Sequence, residues 1–251
     1  MSEALRVTLL ANAGLLLEYE GTTLLLDGIF HSRDVPFSSL PQDVWQKLLR
    51  GDAPFGKIDY LLFTHHHPDH FSAAMTVEYL EGHPIKGVFL PDAEELENST
   101  LMRGLREHGT PCALLSDQTN HAVYKVAPNI TVRAFRTLHL DKAFETVRHY
   151  CYLITFGDKR VLFTADVNYL GEDLSQTHGA PLHAAFINPL FFSALSHHRF
   201  FKGELNPKHL CVYHVPFAED DPFDMNVMLR RDLAQRDDVI VLREALQQIE
   251  L

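Results

Sequence analysis

The sequence predicts an α+β fold in which two β-sheets pack face to face and helices cover their outer sides. Two observations support this prediction. Short apolar runs typical of strands come first and helical patterns follow them, and the same order returns in the second half of the chain. In addition, no repeat, low-complexity tract or linker rich in Pro, Gly and Ser interrupts the 251 residues. We therefore predict a single domain over residues 1–251.

The first half is predicted to contain a β-meander, followed by strands that alternate with helices. Gly21 turns the chain between two apolar runs, and the meander ends at Asp27. Pro41 suits the first turn of a helix that Gly51 ends. The run at 60–64 is short and continuously apolar, which indicates a strand buried on both faces. The predicted strands are 7–10, 13–20, 23–26, 60–64 and 88–90, and the predicted helices are 41–50, 72–81 and 92–108.

The second half is predicted to be mostly strands. Asp158 marks a tight hairpin between two apolar runs. Asp221 and Pro222 form an N-cap and first-turn pair, which predicts a helix that continues to about residue 234. A last strand and a short tail helix end the chain. The predicted strands are 113–115, 121–126, 130–135, 149–156, 160–164, 184–187, 210–213 and 239–242.

Composition excludes several classes of function. The formal net charge is −11 and clusters of Lys and Arg are short, so we expect no nucleic-acid partner. There is no run of about 18 apolar residues, so no membrane-spanning helix is expected. The N-terminus lacks the basic and apolar segments of a signal peptide, which predicts a cytoplasmic protein. The three cysteines are well separated and favour buried thiols over disulfides. Oligomeric state stays open.

One segment gathers four of the sixteen histidines, and it lies between a buried strand and a helix. Residues two apart in an extended segment project to the same side, so His65 and His67 can hold one metal ion while His66 points away. Pro68 delays the start of the helix, which leaves Asp69 and His70 at the helix entrance. Imidazole and carboxylate ligands of this kind suit zinc, manganese or iron. The alternative is a polar loop without a role.

The pattern His65-x-His67-x-Asp69-His70 resembles the motif of the metallo-β-lactamase superfamily. The resemblance implies an αββα sandwich, with two mixed sheets, helices on the outer faces and a metal site at one edge. It also implies three further ligands at the ends of later strands, namely His139, Asp166 and His214. The implied ligands of the first ion are His65, His67 and His139; those of the second are Asp69, His70 and His214; Asp166 bridges both.

The later positions also fit roles without a metal. His139 fits a loop, Asp166 fits a helix N-cap, and His214 fits a strand end. Asp27 has two interpretations as well. It either begins the turn with Gly28 or accepts a hydrogen bond that orients a ligand histidine.

Substrate contacts are predicted from an aromatic and locally cationic segment at 188–202. The candidate residues are Phe192, His198 and Arg199, which fit a pocket for an anionic group. The alternative is a surface loop whose phenylalanines pack on the core. Phe30, His31 and Phe37 are candidates for the opposite wall, with the same alternative.

The predicted function is that of a dinuclear metal-dependent hydrolase. Two divalent ions, zinc by expectation and manganese or iron as alternatives, would hold a hydroxide that attacks a small ester, lactone or phosphoester. Asp69 would orient the attacking water and carry its proton. The family's true β-lactamases lack a residue equivalent to the bridging Asp166, and its redox branch has a carboxylate in place of His67. We therefore expect neither β-lactam hydrolysis nor oxidoreductase chemistry.

The compact chain is most similar to the branch that includes sugar-phosphate lactonases. We therefore expect a small molecule as substrate. Two alternatives stay open. One is a phosphodiesterase or nuclease-type hydrolase of the same fold, although the family's nucleases carry extra domains or a basic arm. The other is a metal-binding protein without catalysis.

Overall fold

Two seven-stranded sheets form the centre of the protein in a computed structural model. The structure describes residues 3–32, 37–93, 99–169, 174, 177, 181–197, 205–234 and 236–251. The first sheet contains β1 (Arg6–Ala11), β2 (Gly14–Tyr19), β3 (Thr22–Leu26), β4 (Tyr60–Leu62), β5 (Gly87–Pro91), β6 (Cys112–Leu115) and β14 (Gln248–Glu250). Its order is β14-β1-β2-β3-β4-β5-β6. The strands from β14 to β3 pair antiparallel and those from β3 to β6 pair parallel, so this sheet is mixed.

The second sheet repeats this arrangement. It contains β7 (Val123–Ala127), β8 (Ile130–Thr137), β9 (His149–Phe156), β10 (Lys159–Phe163), β11 (Ala184–Ile187), β12 (His209–Val212) and β13 (Val239–Val241). Its order is β13-β12-β11-β10-β9-β8-β7. The strands from β7 to β10 pair antiparallel and those from β10 to β13 pair parallel. The hairpin predicted at Asp158 joins β9 to β10.

Helices cover the outer face of each sheet. They are α1 (Gln42–Arg50), α2 (Ala73–Gly82), α3 (Thr100–Glu107), α4 (Pro189–His197) and α5 (Met225–Leu233). Strand β9 shows how the layers form, because its side chains alternate between two cores. Tyr152 and Ile154 enter the core between the sheets, whereas Cys151 and Leu153 pack with α4 and α5. A third core lies between the first sheet and α1 to α3. The predicted αββα sandwich is therefore confirmed.

The structure corrects two elements of the sequence prediction. The predicted tail helix is wrong, because residues 248–250 form strand β14 and satisfy the backbone of the edge strand β1. The segment expected to be a loop at 188–202 begins with helix α4. The side chain of Asn188 accepts a hydrogen bond from the Phe191 amide at 2.8 Å, which caps this helix.

Two other helices begin later than predicted. The Ser99 hydroxyl caps α3 by accepting from the Met102 amide at 3.2 Å, and residues 94–98 of the longer predicted helix lie outside the described residues. Asp221 does accept from a helix amide, as predicted, but its partner at 2.8 Å is the amide of Met225, where α5 begins.

Two expectations from composition concern the chain as a whole. Cys112, Cys151 and Cys211 are free thiols; Cys151 and Cys211 are buried, as predicted, whereas Cys112 is half-buried. Among the helices that the structure describes, none is both long and apolar enough to cross a membrane.

Candidate metal centre

The loop between β4 and α2 carries the first four candidate ligands. The Tyr150 amide of the second sheet donates to the Thr64 carbonyl at 2.9 Å, which fixes the start of the loop. The His70 amide donates to the His67 carbonyl at 3.0 Å and closes a turn. His66 points away from this turn, since its Nε2–H donates to the Pro91 carbonyl at 2.7 Å. His65 and His67 lie together on the other side, as the two-residue periodicity predicts.

The other three candidate ligands also follow strands. His139 comes after β8, Asp166 after β10 and His214 after β12, and these strands run in the same direction. Their carboxyl ends therefore meet at one edge of the sheet, where ligands commonly bind. The Leu140 amide donates to the Asp166 carbonyl at 2.7 Å, which holds His139 beside Asp166.

The seven predicted ligands form two clusters that share one carboxylate. The first contains His65, His67, His139 and Asp166, and the second contains Asp69, His70, Asp166 and His214. In each cluster all candidate ligand atoms lie within 4.8 Å of one another.

The spacing of these atoms fits metal coordination. Zinc–nitrogen bonds of about 2.0–2.1 Å place two tetrahedral ligands about 3.3 Å apart. The Nε2 atoms of His70 and His214 are 3.0 Å apart, and the Nε2 of His65 is 3.1 Å from the Nδ1 of His67. From Asp166, Oδ2 lies 3.3 Å from His70 Nε2.

Two buried ligand atoms without hydrogen-bond partners also indicate a metal site. The Oδ2 of Asp69 and the Nε2 of His139 are buried and have no hydrogen-bond partner among the described residues. Buried polar atoms normally have partners, so a bound ion fits both. The residues present therefore suit a pair of divalent cations.

Asp27 and Thr64 hold two of the ligand rings. Asp27 follows β3 and is fully buried. Its carboxylate accepts from the Thr64 amide at 2.8 Å, the Thr64 hydroxyl at 2.6 Å and the His70 Nδ1–H at 2.9 Å. Because the Thr64 hydroxyl donates to Asp27, it accepts from the His65 Nδ1–H at 3.0 Å. Both imidazoles thus direct Nε2 toward the centre. Of the two sequence interpretations of Asp27, this geometry favours the hydrogen-bond acceptor.

His149 and Tyr213 support the segment that carries Asp166, and no sequence pattern marks either residue. The Asp166 amide donates to the Nε2 of His149 at 3.1 Å, so the Nδ1–H of this neutral ring donates to Thr137 Oγ1 at 2.6 Å. The Ala165 amide donates to the Tyr213 hydroxyl at 2.8 Å. His149 and Thr137 are buried strand residues and Tyr213 is a buried residue directly after β12, and only the folded chain shows their partners.

Backbone strain accompanies the ligands. Ala165 and His214 have φ values of 43° and 60°, in a left-handed region that residues other than Gly, Asn and Asp rarely adopt. Such conformations cost about 1–3 kcal/mol each and collect at functional sites, where the surrounding structure enforces them.

The electrostatics of the two clusters differ. Burial lowers the pKa of His65 well below its usual value, and the nearby rings of His70 and His149 add to this effect. Burial also acts on His70 and His214, but there the carboxylates dominate. Asp69 and Asp166 raise the pKa of His70 well above its usual value, and the pKa of His214 rises to about 9. Metal binding at the second cluster therefore releases protons.

Burial of His149 lowers its pKa to about 3, so this ring stays neutral. The pKa of Asp166 is held well below its usual value. Burial would raise it, but His214 and His70 outweigh that effect. The shared carboxylate is therefore ionised.

A cavity of about 630 Å³ opens onto the centre. Its floor is formed by ligands from both clusters, and Phe37 and Phe144 lie on either side. The Phe144 ring packs edge-on against His67 at 4.5 Å, and the Phe37 ring against His214 at 5.0 Å.

The residues predicted to contact a substrate do not all line this cavity. Phe192 is fully buried in the core between the second sheet and its helices, and it does not line the cavity; Leu190 of the same helix does. His198 and Arg199 lie outside the described residues. On the opposite side Phe37 lines the cavity, whereas Phe30 is buried in the core under α1 to α3 and His31 is exposed.

Comparison with known protein families shows to which family the chain belongs. A family model described as the β-lactamase superfamily domain matches residues 29–208. The chain belongs to the metallo-β-lactamase superfamily. The predicted family is confirmed. A search of curated proteins finds no match.

Solved structures share this metallo-β-lactamase fold at low sequence identity. The metallo-β-lactamase fold protein YhfI from Bacillus subtilis is 16% identical, with a TM-score of 0.66 and full coverage of both chains. Zn²⁺-bound PqqB from Methylobacterium extorquens is 12% identical, with a TM-score of 0.59, covering 95% of this chain and 87% of its own. CmlA, a diiron β-hydroxylase from Streptomyces venezuelae, is 19% identical, with a TM-score of 0.62. This chain is covered fully by that match but spans only 54% of CmlA.

Proposed function

We propose that this protein is a hydrolase that uses two divalent ions to cleave a small ester or lactone. The observation that carries the proposal is the shared Asp166, which lies in both ligand clusters at the floor of the cavity. A carboxylate with two oxygen atoms can bridge two cations, and the remaining ligands divide into three for each ion.

The first ion would be held by His65, His67 and His139, and the second by Asp69, His70 and His214. When bound, such a pair lowers the pKa of water toward 7 and polarises a substrate carbonyl. Zinc is our expected metal. The names of PqqB and CmlA record zinc in one relative of this fold and iron in another, so metal analysis has to decide which metal this chain carries.

Asp69 is the proposed proton carrier. It lines the cavity, and its Oδ2 has no hydrogen-bond partner among the described residues. The distances from this oxygen to the Nε2 atoms of His214 and His70 are 3.5 and 3.6 Å, which keep it beside the second cluster. The carboxylate would accept a proton from the attacking water and deliver it to the leaving alkoxide.

Charge favours a carbonyl substrate over a phosphoester. Within the described part of the chain, no Lys or Arg lines the cavity, and Asp141 adds a carboxylate to its wall. Phosphate groups are commonly bound by Arg and Lys side chains, which the described lining of this cavity lacks; its cationic character is limited to the N-terminus of α4 at Asn188 and Pro189. This argument disfavours the sugar-phosphate branch and the nuclease alternative together.

The test combines metal analysis with turnover. We expect about two ions per chain, and hydrolysis of uncharged esters or lactones by the metal-loaded protein. Asp69→Ala should lose at least 100-fold in kcat, the lower end for acid–base catalysis, and should keep the ion bound by His65, His67 and His139. Asp141→Asn is the matched control, since this residue lines the same cavity but belongs to neither cluster.

Two results would contradict the proposal in different ways. One ion or none per chain would remove the two-ion centre. Two tightly bound ions without turnover of any ester, lactone or phosphoester would favour the metal-binding protein without catalysis.

A further inference from the structure

The cavity that opens onto the ligand clusters is large enough to hold more than a reacting ester group. Its volume of about 630 Å³ lies within the 300–1,000 Å³ typical of small-molecule sites. Ligands of both clusters occupy only the floor. The walls therefore contact the part of the substrate that does not react.

These walls are apolar and come from separate segments. Phe144 lies in the short 3₁₀ turn after His139, Leu190 in the first turn of α4, and Phe223 before α5, while Met225 and Met228 lie on α5 itself. Methionine side chains adapt to the shape of an apolar ligand.

Three of these side chains are unusually exposed. Phe144, Leu190 and Phe223 are 41%, 36% and 60% exposed, and the described residues include only three other large hydrophobic side chains at this level of exposure. Half of the exposed large hydrophobic residues of the described chain thus surround one cavity. A concentration of this kind marks a surface that binds an apolar partner.

Polar groups on the wall are already engaged. The amide of Asn188 accepts from the Phe191 amide at 2.8 Å and donates to the Ala165 carbonyl at 2.9 Å. Asp141 accepts from the Ala143 amide at 2.8 Å and is negative. A phosphate or carboxylate lying here would lose its hydration without meeting a Lys or Arg side chain among the described residues.

We infer that the substrate carries an uncharged apolar chain, which lies along the wall from Phe144 toward Leu190 and Phe223. This inference rests on the proposed function, because it assumes that the reacting ester or lactone lies at the ligand clusters. It names the substrate class as medium-chain alkyl or acyl esters and lactones.

A homologous series measures the contribution of the chain. Each methylene buried on an apolar wall contributes about fourfold in kcat/KM. We expect this rise from the acetate to the butyrate, hexanoate and octanoate esters of p-nitrophenol. A chain ending in a carboxylate should be a poorer substrate than the methyl-terminated chain of equal length.

Variants of the wall test where the chain lies. Phe223→Ser and Leu190→Ser should flatten the dependence on chain length, so that the loss in kcat/KM grows from the acetate to the octanoate. Val227→Ser is the matched control, because Val227 is 52% exposed on α5 and does not line this cavity. A steep dependence that survives both wall variants would overturn the inference.

Binding of alkanols separates this inference from the proposed function. Titration calorimetry with 1-butanol, 1-hexanol and 1-octanol should show Kd falling about 15-fold for each two methylenes, with weaker dependence in Phe223→Ser. If no ester is hydrolysed but the alkanols bind in this way, the proposed function fails and the apolar site stands. If esters are hydrolysed with equal rates for all chains and the alkanols do not bind, only the inference fails.

Discussion

The Asp27 carboxylate should decide which nitrogen of His70 is free to bind an ion. Asp27→Asn is the sharpest perturbation, because Asn tolerates the positive φ of 45° at this position. The new amide has one accepting oxygen, which suits the Thr64 amide. Its NH₂ group then faces His70 Nδ1 and can pair with it only as a donor. His70 would have to carry its proton on Nε2, the nitrogen that points into the second cluster.

The magnitude follows from the contacts that are lost. If His70 keeps its proton on Nδ1, a buried N–H is left unpaired, which costs about 1–3 kcal/mol. That range corresponds to about 5- to 150-fold in affinity. Changes to residues that orient metal ligands cost 10- to 100-fold, which agrees. We therefore expect Asp27→Asn to weaken one ion by about 10- to 100-fold and to affect the ion at His67 and His139 much less.

Competitive titration of zinc against a chelator, with the metal content measured in parallel, would detect this difference. Asp59→Asn is a matched control. Asp59 is also buried and accepts from a backbone amide, that of Thr23 at 3.1 Å, but it lies at the opposite ends of β3 and β4. The control should lose some stability, since Asp59 pairs with Lys57 and Lys86, and should bind metal normally. Two ions bound by Asp27→Asn with unchanged affinity would refute the reasoning.

Three further substitutions test the support of the centre and the fold. His149→Ala removes the acceptor of the Asp166 amide and should lower the metal affinity about tenfold. His149→Gln can still accept this hydrogen bond and should bind metal more tightly than His149→Ala. Equal affinities of the two variants in the same chelator titration would contradict this role of His149. Tyr213→Phe leaves the Ala165 amide unpaired and should reduce the free energy of unfolding in urea by about 1–3 kcal/mol. An unchanged free energy would show that this amide finds another partner. Glu20 and Gly21 form the turn between β2 and β3 with φ values of 46° and 72°. Because Asn adopts a positive φ more readily than Glu, Glu20→Asn should raise the free energy of unfolding by up to about 1 kcal/mol. A decrease would show that the hydrogen bond from Asn129 to Glu20 contributes more than the turn.

The ligands could be found from the sequence because the chemistry restricts both residue type and position. This metal site is built from His and Asp, and all seven of these residues lie in the loops that follow strands β4, β8, β10 and β12. The apolar runs that form such strands are visible locally, as in the strands before His65 and Asp166. The direction of β8, β10 and β12 then brings their ends together, which the family resemblance supplied and the strand order in the structure explains.

Elements that depend on distant partners were harder to predict. Strand β14 is three residues long, and its partner β1 lies at the other end of the chain, with Arg6 opposite Glu250. No local pattern marks so short a strand, so the tail was assigned to a helix. Helix α4 has a local signal, since Asn188 and Pro189 form an N-cap and first-turn pair, but the aromatic residues that follow fit a pocket-lining loop equally well.

The cavity wall shows why substrate-binding residues are harder to predict from the sequence than metal ligands. Leu190, Phe191 and Phe192 are consecutive apolar residues at the start of α4, and successive helix residues point about 100° apart. Leu190 lines the cavity, whereas Phe191 and Phe192 are fully buried in the core. An apolar wall uses the same residue types as a core, so composition cannot distinguish them, and only the rotation of α4 against the second sheet selects the one that meets a substrate. A ligand histidine has no such ambiguity, because a buried unpaired imidazole is costly in a core and useful beside an ion.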